Sequence, residues 1–318
     1  ITGNIGRKGV GVNPLRGQNN VQGAADMGCQ PHQGAGYFEV SDEKNQKFYT
    51  EKYGVTHPAK PGLKIPQMFE AAINKELKGL WIIGEDIVQT DPNSAHVIEA
   101  MNSLELLVVQ EIFMSETAKL ATVVLPGTTF LEKDGTFTNT ERRVQRVNRA
   151  VPPLPGTKPD GVIVTEMMQK LGFDQPTYDA DQVLAEIADI VPFFKGITRE
   201  RLGKMGLQWP VKEDGTDTQI LHTEEFKLGK GRLKNFDWKE SSEIEANHKE
   251  YPLILTTSRV LQHYNAATMT RRTSNINIVD EDVLLIHPKD AANRDLNTGD
   301  IGRLYSGRGE VALKVEVT

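Results

Sequence analysis

Short apolar runs alternate with helical segments between residues 65 and 126, and this rhythm constrains the fold more than any other feature. Three continuous apolar runs are typical of buried strands: GLWIIG, LELLVVQ and TVVLP. The segments beside them are predicted to be helices, namely IPQMFEAAINKEL, NSAHVIEAMNSL with Asn93 or Ser94 as its cap, and SETAKLA. Strands that alternate with helices predict a doubly wound, parallel α/β sheet.

The rest of the chain divides by composition. Residues 1–36 are rich in glycine, which predicts loops. Residues 41–64 are charged and interrupted by prolines, which predicts a segment that loops out over the surface. FTNTERRVQRVNRAV is strand-like, whereas GVIVTEMMQKLGF and DADQVLAEIADIV predict amphipathic helices. The polar stretch 211–250 predicts a linker with a hairpin. A β-rich tail follows, beginning with a strand in YPLILTTSR and continuing through turns at NTGD and SGRGE.

Composition excludes several classes of protein. The 318 residues are 38% hydrophobic and 25% charged, as in soluble globular proteins. A net charge of −6 argues against a protein that simply adheres to nucleic acid. No run reaches the roughly 20 apolar residues that a membrane span requires. The single cysteine, Cys29, cannot by itself supply a disulfide or a metal cluster, and it predicts a reducing, cytoplasmic location.

Polar side chains follow the predicted strands at the points where they end. Gly84, Glu85 and Asp86 follow the first strand, and Gln110 and Glu111 end the second. Ligands of open parallel sheets bind beyond the carboxyl ends of the strands, and carboxylates there take ribose hydroxyls or the N–H donors of guanine. These residues predict a nucleotide cleft; the alternative is that they cap helices and turns. No GxGxxG follows a strand, which disfavours an ordinary NAD-binding domain.

Two later segments also carry chemistry. Arg142, Arg143 and Arg146 lie on a polar strand, where they either surround an anion or a polar interface or belong to a solvated hairpin. In LTTSRVLQHYNAATMTRR, Thr257 and Arg259 follow a predicted strand and suit phosphate or a polar heterocycle. His263 is either a proton carrier or structural. Cys29 is predicted to be a packed small residue and not a nucleophile.

Arg16 in NPLRGQNNVQG has no acid near it in the sequence. Its planar guanidinium matches a carboxylate and, if the loop is fixed by glycine turns, can hold a small anionic substrate in one orientation. The alternative is an arginine that is solvated or tied to backbone carbonyls. The amides that follow, Gln18 among them, both donate and accept hydrogen bonds, as recognition of a polar heterocycle requires.

Four long motifs occur in an order that resembles one family. They are ITGNIGRKGVGVNPLRGQNNVQGAADMGCQP, IIGEDIVQTDPN, VVQEIFMSETAKLATVVLPGTTFLEKDGTFTNTERRVQR and LILTTSRVLQHYNAATMTRR. Together they resemble the catalytic subunit of molybdenum- or tungsten-dependent formate dehydrogenases, within the bis-molybdopterin guanine dinucleotide oxidoreductases. The resemblance implies oxidation of formate to CO2, or CO2 reduction, by two-electron transfer at a Mo or W bis-molybdopterin guanine dinucleotide centre.

The resemblance also implies roles for individual residues. Arg16 matches the arginine that orients formate, and Gln18 matches an amide near the pterin and metal. The guanosine loop corresponds to Gly84, Glu85, Asp86 and Asp91, and the next strand end to Gln110 and Glu111. The segment that closes over the cofactor corresponds to Thr257, Arg259 and His263.

By the same resemblance, four regions are expected. Residues 1–18 end a preceding α/β domain with the active-site loop, and 19–129 form a Rossmann-like guanine dinucleotide-binding domain. Residues 130–225 are a mixed segment of an otherwise missing domain. Residues 226–318 are the start of a C-terminal double-psi β-barrel that binds the molybdopterin dinucleotide.

The chain begins with isoleucine, and we expect it to be an internal piece of a longer catalytic subunit. In the family the [4Fe–4S] cluster, the selenocysteine or cysteine metal ligand and a neighbouring histidine lie upstream. The piece alone is therefore expected to hold neither cluster nor metal ligand and to be inactive. The resemblance to this family implies iron–sulfur electron-transfer subunits as partners, with a diaphorase or a hydrogenase module beyond them. It implies no binding of nucleic acid and no direct membrane span.

Three alternatives stay open on the sequence. One is another molybdopterin oxidoreductase of the nitrate reductase type, and the second is the related large subunit of respiratory complex I. The third is a non-enzymatic nucleotide-binding scaffold that uses only the α/β domain.

Overall fold

A computed structural model describes residues 2–226, 228–241, 249–307 and 309–318. The chain forms two compact units. The first comprises the residues up to Glu85, Ala100–Met114 and Ala118–Gly231, and the second comprises Asp86–Glu99, Ser115–Thr117 and Arg232–Thr318. The domain boundaries expected at residues 18, 129 and 225 stay a prediction.

The described helices number ten, apart from short 3-10 turns. They are α1 (Val21–Asp26), α2 (Glu43–Tyr53), α3 (Ile65–Ile73), α4 (Ile87–Thr90), α5 (Ser94–Ser103), α6 (Glu116–Lys119), α7 (Asp160–Lys170), α8 (Ala180–Ile190), α9 (Arg199–Leu202) and α10 (Pro288–Ala292).

The strands form four small sheets among the described residues. They are β1 (Gln33–Gly34), β2 (Phe38–Glu39), β3 (Gly79–Ile83), β4 (Leu106–Glu111), β5 (Val123–Pro126), β6 (Gly135–Thr138), β7 (Arg143–Val147), β8 (Leu207–Gln208), β9 (Val283–Ile286), β10 (Ile301–Ser306) and β11 (Gly309–Val317).

The parallel sheet predicted from the apolar runs is confirmed. Strands β3, β4 and β5 lie side by side in that order, and both pairs are parallel. Leu107 and Val109, which share one face of the middle strand, are buried, and Gln110 on its opposite face is buried as well. The cap predicted for α5 is also confirmed, since the Asn93 Oδ1 accepts from the backbone N–H of His96.

A second core in the first unit supports an antiparallel sheet. Strand β7 pairs with β6 and with β8, and Val144 on β7 is buried. The apolar faces of α8 and α9 pack against it, through a cluster of Val144, Leu184, Ile190, Val191, Phe194, Ile197, Leu202 and Val211. This core places the β6–β7 hairpin and Trp209 in fixed positions.

In the second unit, β11 pairs with β10 antiparallel and with β9 parallel. Val315 and Ala291 are its buried centre. The turns predicted at NTGD and SGRGE connect these elements, as expected, although Arg308 lies outside the described residues.

Two strand predictions are wrong. YPLILTTSR contains no strand, and the side chains of Leu253, Ile254 and Leu255 are exposed. An apolar extended segment becomes a strand only where another strand completes its ladder, and the described chain provides none there. The hairpin predicted within 211–250 is likewise missing from its described part; Lys227 and residues 242–248 lie outside it.

Candidate functional site

A cavity of about 240 Å³ in the first unit opens beside the Arg16 loop. The loop and the start of α1 form one wall, and the β6–β7 hairpin forms the other. The described lining contains no carboxylate: it consists of Arg16, Gln18, Asn19, Asn20, Val21, Gln22, Phe137, Thr138, Asn139, Thr140 and Gln145. One guanidinium surrounded by amides and hydroxyls gives a cavity suited to a small polar anion.

Within the described chain, the Arg16 guanidinium is hydrogen-bonded to a single side chain. Its Nη2 donates to the Gln22 Oε1 at 3.2 Å. The Gln22 Nε2 in turn donates to the Asp26 Oδ1 and to the Tyr37 hydroxyl, each at 2.9 Å. Arg16 itself is exposed. Its other N–H groups are therefore available to a ligand.

Asp26 is the buried end of this chain of hydrogen bonds, with no exposed surface. Its Oδ1 also accepts from the Tyr37 hydroxyl at 2.7 Å, and its Oδ2 accepts from the Trp209 Nε1 at 2.9 Å. Burial raises the pKa of Asp26, while the bonds from Tyr37, Gln22 and Trp209 act in the opposite direction. Burial and the neighbouring Asp26 carboxyl raise the pKa of Tyr37.

Asn20 fixes the Arg16 loop to the opposite wall. It adopts a left-handed backbone conformation with φ 58°, and its Oδ1 accepts from the backbone N–H of Thr138 at 2.9 Å. A Cβ at residue 23 would lie 2.1 Å from that oxygen, so any residue larger than glycine would displace the Asn20 side chain. The loop is thus anchored four residues after Arg16 by a contact that depends on Gly23.

The end of β4 supplies a second polar cluster in the first unit. The Gln110 side chain is 1% exposed, and its Nε2 donates to the Asp160 Oδ1 at 2.7 Å. Lys133 pairs with the other oxygen of Asp160. The Gln110 Oε1 is buried and makes no hydrogen bond to any described residue. An unpaired buried acceptor beside a carboxylate suits a ligand that brings N–H donors.

The other predicted strand-end residues have local roles that the structure shows. Gly84 turns the chain at φ 64°, Glu85 is exposed, and the Glu111 Oε1 accepts from the backbone N–H of Ile112. In the second unit, the Asp86 Oδ1 accepts from the N–H and hydroxyl of Thr117, and the Asp91 Oδ1 accepts from the N–H of Asn93. The buried Asp86 Oδ2 has no hydrogen bond to a described residue.

Three further predicted residues lie in the second unit. Thr257 and Arg259 are exposed, and the Arg259 guanidinium donates to the Asn265 Oδ1 at 3.2 Å. His263 bonds through Nδ1 to the Thr270 hydroxyl at 3.0 Å and through Nε2 to the Val279 carbonyl at 2.7 Å. Because both ring nitrogens are engaged, this geometry favours the structural alternative for His263.

The hairpin arginines bind the protein itself. Arg142 donates to the carbonyls of Trp209, Thr218 and Gln219. Arg143 pairs with Glu141, and Arg146 donates to Asn148. These contacts do not form an anion site. Cys29 is exposed, so the expectation of a packed residue is wrong.

Sequence reasoning missed the supports of both clusters. Asp26 and Tyr37, 11 positions apart, meet Trp209 from a segment 183 positions after Asp26, and Asp160 reaches Gln110 from the start of α7. Asp160 was a weak signal of this cluster in the sequence, because it is an isolated acidic residue just before the predicted helix GVIVTEMMQKLGF. In the described ranges, no three His, Cys, Asp or Glu side chains come together as a metal-ligand set. No described helix combines the length and apolarity needed to cross a bilayer.

Comparison with known families gives two matches. The family described as molybdopterin oxidoreductase matches residues 1–170, and the molydopterin dinucleotide binding domain matches residues 253–318.

Individual relatives match the whole chain. The F420-dependent formate dehydrogenase subunit alpha of Methanocaldococcus jannaschii is 44% identical, and the formate dehydrogenase 1 subunit alpha of Methanococcus maripaludis is 41% identical. The match covers 100% of this chain and 47% of each relative, so the chain spans about half their length. The probable oxidoreductase YjgC of Bacillus subtilis is 40% identical and is covered over 32% of its length.

Among solved structures, acetylene hydratase from Pelobacter acetylenicus has a similar fold. The TM-score is 0.62 at 20% identity, over 86% of this chain and 40% of that one. At this identity the likeness concerns the fold alone.

Proposed function

Because the chain belongs to the molybdopterin oxidoreductase family and carries its dinucleotide-binding domain, we propose that it is part of the catalytic subunit of a formate dehydrogenase. The reaction is the interconversion of formate and CO2. The molybdenum or tungsten bis-molybdopterin guanine dinucleotide, when bound, supplies the two-electron redox chemistry. The [4Fe–4S] cluster belongs to a segment outside this sequence.

The main observation in support of the proposal is that the Arg16 guanidinium is available to bind an anion. Its guanidinium is exposed, touches one neutral side chain and faces a cavity without carboxylates. Formate is a planar anion with two oxygens, which a guanidinium binds through two parallel hydrogen bonds. Arg16 thereby binds and orients formate, and Gln18 on the same wall contacts the cofactor or substrate.

The polar cluster at the end of β4 supports the dinucleotide. Guanine presents N–H donors on one edge, and Gln110 Oε1 is a buried acceptor with no described partner, beside the Asp160 carboxylate. The residues present therefore fit a guanine base. We assign Gln110 and Glu111, with Gly84 and Glu85, to one guanosine. Asp86, Asp91, Thr257 and Arg259 are assigned to cofactor binding within the second unit, and His263, both of whose ring nitrogens are engaged, is assigned to the support of that cofactor-binding segment.

Partner subunits and location are part of the same proposal. Two relatives are named as subunit alpha, which supports assembly with other subunits. We expect iron–sulfur electron-transfer subunits, with a diaphorase or hydrogenase module beyond them, in the cytoplasm.

The test is Arg16→Lys in the holoenzyme that carries this chain. Lysine keeps the charge but loses the planar fork, so the KM for formate is expected to rise at least about tenfold. Arg303→Lys, which changes an exposed arginine paired with Glu310, is the control and leaves KM unchanged. Formate kinetics that are the same in both variants would exclude Arg16 from substrate binding. Reduction of nitrate without formate oxidation would assign the chain to the nitrate reductase type.

A further inference from the structure

Gln22 stands between the exposed Arg16 and the fully buried Asp26. We propose that Gln22, Asp26, Tyr37 and Trp209 form a positioning network that sets the orientation of the Arg16 guanidinium toward its anionic substrate. This inference rests on the proposed function, since it assumes that Arg16 binds the substrate. The four residues do not touch the substrate; they act through Arg16.

The network fixes which way the Gln22 amide points. Its Nε2 faces two oxygens, the Asp26 Oδ1 and the Tyr37 hydroxyl, each at 2.9 Å. A carbonyl oxygen in that position would meet the carboxylate without a proton between them. The amide nitrogen therefore stays inward, and the Oε1 is directed at the Arg16 Nη2, 3.2 Å away. If the amide were flipped, the Gln22 Nε2 would face the guanidinium, and the N–H groups of the two side chains would repel each other.

Asp26 is held by donors on both oxygens. Tyr37 and Gln22 donate to Oδ1, and Trp209 donates to Oδ2. The two aromatic donors are themselves packed on one ring: Phe193 lies 6.0 Å from Tyr37 and 4.6 Å from Trp209 between ring centroids. Rigid packing of the donors makes the carboxylate a fixed reference point for the Gln22 amide.

The interposed amide also preserves the charge of the arginine for its ligand. A carboxylate in direct contact with the guanidinium would occupy the same paired N–H groups that bind a substrate carboxylate. Gln22 uses one N–H group, on Nη2, and keeps the Asp26 charge one side chain away. The arginine is thus oriented without being neutralised.

The experiment compares three variants of the holoenzyme. Gln22→Met removes the amide and keeps the side-chain length, so the KM for formate is expected to rise about tenfold. Tyr37→Phe removes one donor and leaves the contact between Gln22 and Asp26, so the rise is about threefold. Tyr53→Phe is the matched control: its hydroxyl also bonds a carboxylate, Glu186, away from the network, and formate KM stays unchanged.

Three other readouts separate positioning from structural damage. The thermal midpoint, the pterin content and the KM for an artificial electron acceptor are measured on the same preparations, and all three are expected to stay at wild-type values in Tyr37→Phe. A formate KM that changes less than twofold in both Gln22→Met and Tyr37→Phe, while Arg16→Lys raises it, overturns the network and leaves the proposed function intact. A rise confined to preparations with lower pterin content also overturns it.

Discussion

The Gln110 Nε2 donates to the Asp160 Oδ1 at 2.7 Å, although the two residues are 50 positions apart. The bond joins the carboxyl end of β4 to the first residue of α7. It also brings a third polar group to the place, because Lys133 pairs with the second oxygen of Asp160. The end of one strand therefore becomes a site only through a helix that follows much later in the chain.

Asp160→Asn is expected to lower cofactor retention several-fold. The neutral amide keeps the shape of the side chain but loses the charge that binds the Gln110 Nε2 and Lys133, so the Gln110 Oε1 is held less firmly for the guanine N–H groups. The measurement is guanine released per chain from purified holoenzyme. Glu166→Gln on the same helix, which breaks an exposed pair with Lys158, is the control and should retain wild-type guanine content. Equal guanine in both variants would remove Asp160 from the site.

Gly23→Ala is expected to destabilise the first unit by about 1–3 kcal/mol. The new Cβ would lie 2.1 Å from the Asn20 Oδ1 and would push that side chain off the Thr138 N–H. Thermal unfolding of the protein measures the effect. Gly11→Ala, where a Cβ meets open space, is the control. A Gly23→Ala protein as stable as the control would show that the loop does not depend on this contact.

Arg142→Lys is expected to cost about 1–3 kcal/mol of stability. The guanidinium serves three backbone carbonyls at once, those of Trp209, Thr218 and Gln219, and an ammonium group cannot reach all of them in one plane. Arg146→Lys on the same hairpin breaks a single bond to Asn148 and should change stability little. Denaturant unfolding of both variants makes the comparison, and equal midpoints would contradict the prediction.

The Glu132 carboxylate gives a pH-dependent contribution to stability. Donation from the Thr129 N–H and hydroxyl and from the Leu154 N–H holds the pKa of Glu132 below its usual range. Between the lowered pKa and the ordinary glutamate pKa, the unfolded state therefore binds more protons than the folded state. The contribution of Glu132 to the free energy of unfolding is fully present above the ordinary glutamate pKa, and it is lost as pH falls through the lowered pKa. Glu132→Gln should be less stable at neutral pH, and the gap should shrink in acid. Thermal midpoints between about pH 7 and pH 3 measure it; a gap that stays constant would contradict the assignment.

The elements that the sequence predicted well are those whose causes are local. Strands β3, β4 and β5 are continuous apolar runs because a parallel sheet is covered on both faces, and each is followed by its own turn residues. Helix α2 was missed because its segment is charged and only Tyr49 among its residues is buried. Asp42, whose carboxylate caps the helix, was the available signal.

Of the candidate site, the sequence singled out Arg16 and Gln18 beside the cavity and Gln110 at the end of β4, but none of their supports. Arg16 could be singled out because it lies in a loop rich in glycine and asparagine that contains no acidic residue to pair with it. Its supports could not, because Asp26, Tyr37 and Trp209 meet through tertiary packing that leaves no periodic pattern. The strand prediction at YPLILTTSR was wrong for a different reason. The local composition is typical of a strand, but a strand also needs a neighbouring strand for its hydrogen bonds, which local composition does not specify.

Trp209 reaches Asp26 across 183 positions of the chain. During synthesis the arginine loop leaves the ribosome long before the indole that holds its buried carboxylate. Until Trp209 emerges, Asp26 has a solvated oxygen where the indole N–H belongs, and until Phe193 emerges Tyr37 lacks the ring against which it packs. The loop therefore acquires its final geometry only after about two thirds of this sequence has been translated, and any insertion of cofactor that needs an ordered Arg16 must come later than that.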